Sequence, residues 1–162
     1  MESEEWSERT LFFTLLPRMG VRILNIDEIY DLLIWDASYS ADEYESRKNR
    51  GIAEAGKLKN IYPFIQPIVV PEEKSKSVWE SCARIISLKS NDELQPFLNL
   101  LFAWLQDINW PGAEIVFERL ANFPFSELEK TYQFSRLCAL RANDELWLAT
   151  LDDFEKRMIQ CV

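Results

Sequence analysis

The stretch Trp104-Leu105-Gln106-Asp107-Ile108-Asn109-Trp110-Pro111 decides how the chain is read. Before it, Leu94, Phe97, Leu98, Leu101 and Leu105 recur at the spacing of one helical face. After it, Ala113, Val116, Phe117 and Leu120 repeat that spacing. Between the two faces lies a polar break ending in proline. Proline suits a first helical position, where its missing N–H would lack an intrahelical partner anyway. The stretch therefore predicts the turn of an αα-hairpin. Trp104 and Trp110 are expected to fill the angle between its helices as core residues. Asp107 and Asn109 are expected to satisfy orphan backbone groups at the two helix ends.

Toward the carboxy terminus, Ser126 and Glu129 predict a helix start, with Leu128, Tyr132, Ser135 and Ala139 along one side. Asn143 is expected to cap a last helix, whose Trp147, Leu151, Phe154 and Met158 form the apolar stripe. Asn91-Asp92-Glu93-Leu94 recurs as Asn143-Asp144-Glu145-Leu146, a repeated helix-start tetrapeptide. Toward the amino terminus, Ser90 with Glu93, and Ser77 with Glu80, read as capping boxes. The second of these precedes a stripe of Trp79, Cys82, Ala83 and Ile86. The three prolines of Ile61–Pro71 forbid a helix interior or a central strand, so an extended, packed linker is expected. Residues 40–59 carry mixed charges and few apolar residues, as a solvated helix or a mobile segment does. Asn25 with Glu28 caps a helix with the stripe Ile26, Ile29, Tyr30, Leu33 and Ala37, and Asp36 near its end. A first helix over 3–16 is capped by Ser3 and stopped by Pro17 and Gly20, before a short extended link at Val21–Leu24.

These signals predict an all-α fold of about seven helices. Antiparallel helix pairs joined by short turns suggest a HEAT-like α-α superhelix. At 162 residues one domain over 1–162 is expected, with amino-terminal helices and linker at 1–71 and a helical core at 72–162.

The chain carries 27 acidic and 18 basic residues, a net charge of −9, so nucleic acid and anionic membrane are disfavoured partners and a basic protein is favoured. The absence of histidine removes the commonest general base and metal ligand. Cys82, Cys138 and Cys161 form no Cys-x-x-Cys pair and fit a reducing compartment. The acidic Met1–Glu5 is followed by no long apolar run, so neither a signal peptide nor a membrane span is expected, and the cytoplasm is the expected location. Asp152, Asp153 and Glu155 lack calcium-loop spacing, and no glycine-rich phosphate loop occurs. Neither a metal nor another cofactor is expected, a small-molecule ligand is disfavoured, and the chain reads as a non-enzyme.

The segment Leu100-Leu101-Phe102-Ala103-Trp104-Leu105-Gln106-Asp107-Ile108-Asn109-Trp110-Pro111, then Ala113, then Asp144-Glu145-Leu146-Trp147, resembles a bacterial helical domain family of unknown activity. That family ends a helix with Leu-Leu-x-Trp-Leu-Gln-Asp-x-Asn-Trp-Pro and opens another with Asp-(Asp/Glu)-(Leu/Ile)-Trp. The second leucine here lies one residue further from the tryptophan than in that pattern. The resemblance spans roughly residues 75–155 and leaves 1–70 without a counterpart. It implies a HEAT-like helical fold and no known reaction. Small acidic proteins of this kind resemble immunity proteins encoded beside bacterial toxins, an association rather than a physical inference.

The leading expectation is an immunity protein that neutralises a basic toxin domain, a nuclease, by mimicking its polyanionic substrate. The candidate contacts are Asp27, Asp31, Asp36, Asp42 and Glu43. Asp27 and Asp31 are like charges at i, i+4, which costs a helix about 0.2–0.5 kcal/mol, so helix stability does not account for them. The alternative is a helical scaffold that holds a peptide or partner helix.

Overall fold

Seven helices follow one another without a strand among the described residues, which are 22–65 and 76–160 of this computed structural model. Helix α1 covers Ile26–Leu33, α2 Ala41–Gly56 and α3 Trp79–Ser87. Helix α4 runs over 91–106 as alternating α and 3-10 turns: Asn91–Leu94, Gln95–Phe97, Leu98–Ala103 and Trp104–Gln106. Helices α5, α6 and α7 cover Ala113–Ala121, Phe125–Ala142 and Glu145–Gln160. The expected helix at 3–16, the residues Gln66–Pro71 of the linker, Val21 and Cys161 lie outside the described residues.

Three reciprocal capping boxes start helices: Asn25 with Glu28, Ser40 with Glu43, and Ser90 with Glu93. The Ser40 box turns the charged run into a sixteen-residue helix, α2, with a solvated outer face. In the two serine boxes the carboxylate accepts from the serine backbone N–H and hydroxyl. Both interactions hold Glu43 and Glu93 below the usual carboxylate value, the backbone N–H foremost. A carboxyl whose pKa is depressed by folding stabilises the fold above its ordinary value, and that contribution fades as pH falls through the folded value. The urea midpoint is therefore expected to fall between about pH 5 and 3, and less steeply in a Glu43→Gln/Glu93→Gln variant. Equal slopes would show that the boxes carry no acid sensitivity.

Several expected boundaries move, each for a local reason. Helix α1 ends at Leu33, and Asp36 bonds the Ser38 N–H at 2.8 Å, so Ala37 and Asp36 belong to a turn rather than to the helix. A 3-10 turn at Lys76–Val78 feeds α3, so Val78, not Ser77, stands at its N-cap. Pro124 precedes α6, which puts Ser126 inside the helix. Asn143 adopts the left-handed conformation (φ 53°) that closes α6, and Asp144 caps α7 by accepting the Trp147 N–H at 3.0 Å. The two Asn-Asp-Glu-Leu copies thus do different work, since Ser90 caps the first. Tyr62–Phe64 is a 3-10 turn rather than extended chain, and it buries Phe64 between buried Ile61 and Ile65.

One hydrophobic cluster runs from Ile29 on α1 to Met158 on α7. Gly51 lets α2 lie close on α1: a Cβ there would meet Leu33 Cδ2 at 2.9 Å. From α3 onward, alternate helices pack together: α3 on α5 and α5 on α7 in one file, α4 on α6 in the other. The Trp104–Gln106 turn of α4 also packs on α5 and α7, and α6 packs on α7. The stripes expected on α6 and α7 are buried as read.

The central turn is tighter than a helix–proline junction. Asp107 Oδ1 accepts from the Asn109 N–H at 2.9 Å and from its side-chain amide at 3.0 Å, so the two residues close the turn rather than cap separate helices. Pro111 lies in the turn, and Gly112, at φ 88°, is the N-cap of α5. Trp104 is fully buried, and its indole N–H finds no hydrogen-bond partner. Trp110 is only half-buried and meets Trp79 edge-on at 5.6 Å.

Candidate functional site

The five carboxylates singled out by sequence fall on one hairpin. Asp27 and Asp31 lie on α1, Asp36 in the loop, and Asp42 and Glu43 in the first turn of α2. All five are exposed. Two of them also hold local structure. Asp36 is lowered from the usual aspartate value by its bonds to Ser38, side chain foremost, and Glu43 closes the α2 cap. Arg47 inserts a cation among them: its guanidinium donates to the Asp31 carbonyl at 3.1 Å and lies 4.4 Å over the Tyr39 ring. Arg22, paired with Glu28, and Lys48, paired with Glu45, add further fixed cations to the same hairpin.

Sequence reasoning missed the apolar part of that surface. Ile34 is 39% and Trp35 56% exposed in the loop, directly before Asp36. Their signal was the run Leu32-Leu33-Ile34-Trp35, longer than one helical stripe needs. An exposed tryptophan rimmed by charge has the anatomy of an interface anchor.

A second feature lies on the file α3–α5–α7. A cleft of about 440 Å³ is lined by Ile108 of the central turn, Glu114, Phe117 and Glu118 of α5, and Thr150 and Asp153 of α7. Two neighbouring clefts share its walls. One is bounded by Glu80, Trp110, Glu114 and Ile115, the other by Ser87, Glu114, Ile115 and Glu118. Glu114 lines all three clefts, which open side by side along α5 and make one grooved face of α3, α5 and α7. The carboxylates stand exposed at the rim, while Ile108, Ile115 and Phe117 are half-buried.

The groove offers carboxylates, apolar surface and little else. The Thr150 hydroxyl is occupied by the Leu146 carbonyl at 3.1 Å. Glu80 pairs with Arg84 at 2.6 Å, Asp153 with Lys156 at 2.9 Å and Glu118 with Arg157 at 3.4 Å. Asp152, weighed by sequence as an oxygen ligand, pairs with Arg136 of α6. Among the described residues no group of three or more histidine, cysteine or carboxylate side chains is placed to hold a metal, and no helix is long and apolar enough to cross a membrane. Cys82 of α3 is buried, with its Sγ 3.9 Å from the Tyr30 hydroxyl, and Cys138 is half-buried on α6.

Residues 69–160 match a domain family of unknown function, DUF5071. That region holds the central turn, α3 to α7 and the whole groove, whereas the α1–α2 hairpin lies outside it. Neither a curated protein nor a solved structure matches the chain.

Proposed function

The chain belongs to the DUF5071 family, and from its own surface we propose that it is a non-enzymatic binding protein that captures a basic partner, as an immunity protein captures a toxin domain. The carrying observation is the α1–α2 hairpin, where Asp27, Asp31, Asp36, Asp42 and Glu43 are all exposed and Trp35, next to Asp36 in the loop, is exposed with them. A nuclease toxin must attract a polyanion, so its substrate face is basic. An acidic hairpin copies that polyanion, and Trp35 supplies the apolar anchor that carboxylates alone lack. The net charge of −9 steers such a partner from a distance.

The test is co-expression with the protein encoded by the neighbouring reading frame. A stable complex and rescue of growth are expected. Asp27→Lys/Asp31→Lys should slow association by about tenfold at low salt without changing the helical circular dichroism. Trp35→Ala should act on dissociation instead. Association at an unchanged rate in high salt and with reversed charges would refute polyanion mimicry. A neighbour with no toxicity and no complex would refute immunity.

A further inference from the structure

We propose that the groove across α3, α5 and α7 is a docking site for an extended, basic segment of a partner protein, with Glu114 as its central acceptor. The inference rests on this groove and stands independently of the α1–α2 surface.

Three observations define the occupant. The first is shape. Glu114 lines three open clefts that lie side by side between α3, α5 and α7, helices that pack against one another in that order. Packed helices lie about 8–10 Å apart, so the crossing is about 16–20 Å, the length of about six extended residues at roughly 3.3 Å each. An irregular or extended segment follows the three clefts without presenting a second helical surface. The second is charge. Glu80, Glu114, Glu118 and Asp153 line the rim, and the one cation among the lining residues, Arg119, is turned inward onto the Lys89 carbonyl at 2.7 Å. The third is which carboxylates are engaged. Glu80, Glu118 and Asp153 hold exposed partners on their own or an adjacent helix. Such surface pairs are worth about 0–1 kcal/mol, so an incoming lysine or arginine displaces them at little cost. Glu114 makes no ion pair among the described residues. It is the vacant acceptor, and half-buried Ile108, Ile115 and Phe117 give the segment's apolar side chains a floor. Stacked helical proteins use the face of one helix file in this way.

The experiment uses the full chain, isotopically labelled, titrated with a hexapeptide that alternates basic residues with leucine and with its glutamate-for-lysine counterpart. Amide shifts are expected at Ile108, Asn109, Glu114, Ile115, Glu118 and Asp153 with the basic peptide only. Glu114→Lys should weaken binding by about tenfold. Glu129→Lys makes the same charge change at an exposed α6 position that lines none of the three clefts, and should leave affinity within about twofold, since salt screens exposed charges that make no contact. Glu114 is exposed, and unchanged circular dichroism checks that the variant folds. Shifts spread over all acidic surfaces, equal loss from Glu114→Lys and Glu129→Lys, or no shift at millimolar peptide would each overturn the proposal. Immunity through α1 and α2 would survive any of those results.

Discussion

Gly112→Ala is expected to destabilise the fold more than a methyl added at Gly51 or Gly56, the other described glycines. Residue 112 has φ 88°, a conformation that costs a residue with a Cβ about 1–2 kcal/mol. The added methyl would also stand 2.5 Å from Ala83 Cβ and 3.1 Å from both Glu80 Cα and the Trp79 carbonyl oxygen. These are backbone and Cβ atoms of α3, which cannot swing aside as a long side chain would. Overpacking of that kind costs about 1–3 kcal/mol more. The sum removes a large part of the stability of a small domain. The two components separate in a cycle. Ala83→Gly removes the nearest atom but costs about 1 kcal/mol by itself as a mid-helix glycine. In the double variant the clash component should shrink and the conformational one remain, giving a favourable coupling in urea titrations. A Gly112→Ala loss below about 1 kcal/mol would mean that the turn relaxes and that α5 need not approach α3 so closely.

The same position shows what could be read from the chain and what could not. The helical stripes were legible because burial imposes one period on long segments: Trp147, Leu151, Phe154 and Met158 are all buried as their spacing demands. Boundaries were less legible, because adjacent polar residues compete for one capping role. Asn143 and Asp144 are both good caps, and only the left-handed backbone at Asn143 assigns the N-cap to Asp144. The spacing puts Asp36 at the end of a helix, but it forms a turn with Ser38, an alternative its short side chain makes competitive. The sequence predicts Trp110 in the core, but it is half-buried, because the Asp107–Asn109 turn carries it to the mouth of a cleft against Trp79. The acidic hairpin was legible because its carboxylates are near in sequence. The groove was not. Glu80, Glu114 and Asp153 are separated by whole helices, and only the packing of alternate helices brings them to one face. Sequence periodicity describes one helix at a time and carries no term for which helices become neighbours.

Lys89→Met is the other substitution with a large expected effect, and it tests how the amino-terminal hairpin is tied to the family-matched region. The Lys89 side chain is only 3% exposed. Its ammonium donates to the Gly56 carbonyl at 2.8 Å and to the Leu58 carbonyl, and it meets Glu93 at 3.4 Å. Gly56 ends α2, so the lysine satisfies carbonyls that a helix leaves unpaired at its C-terminus, where the helix dipole also favours a cation. Arg119 of α5 donates to the Lys89 carbonyl at 3.2 and 2.7 Å and to Asn91 Oδ1 at 2.8 Å. The end of α2, the α3–α4 loop and α5 are thus joined through one residue, by its side chain in one direction and its backbone in the other. Methionine keeps the apolar stem and removes the donors. Two partly buried carbonyls then lack partners at about 1–3 kcal/mol each, so a loss of about 3 kcal/mol is expected. Hydrogen exchange should localise it, with amides at the end of α2 and in Tyr62–Phe64 opening earlier than those of α6 and α7. Arg119→Met should destabilise by breaking the other half, and the double variant should lose less than the sum, because either change alone already frees the loop. A uniform exchange profile, or a Lys89→Met loss under about 1 kcal/mol, would mean that water replaces the ammonium and that apolar packing alone joins α2 to the rest.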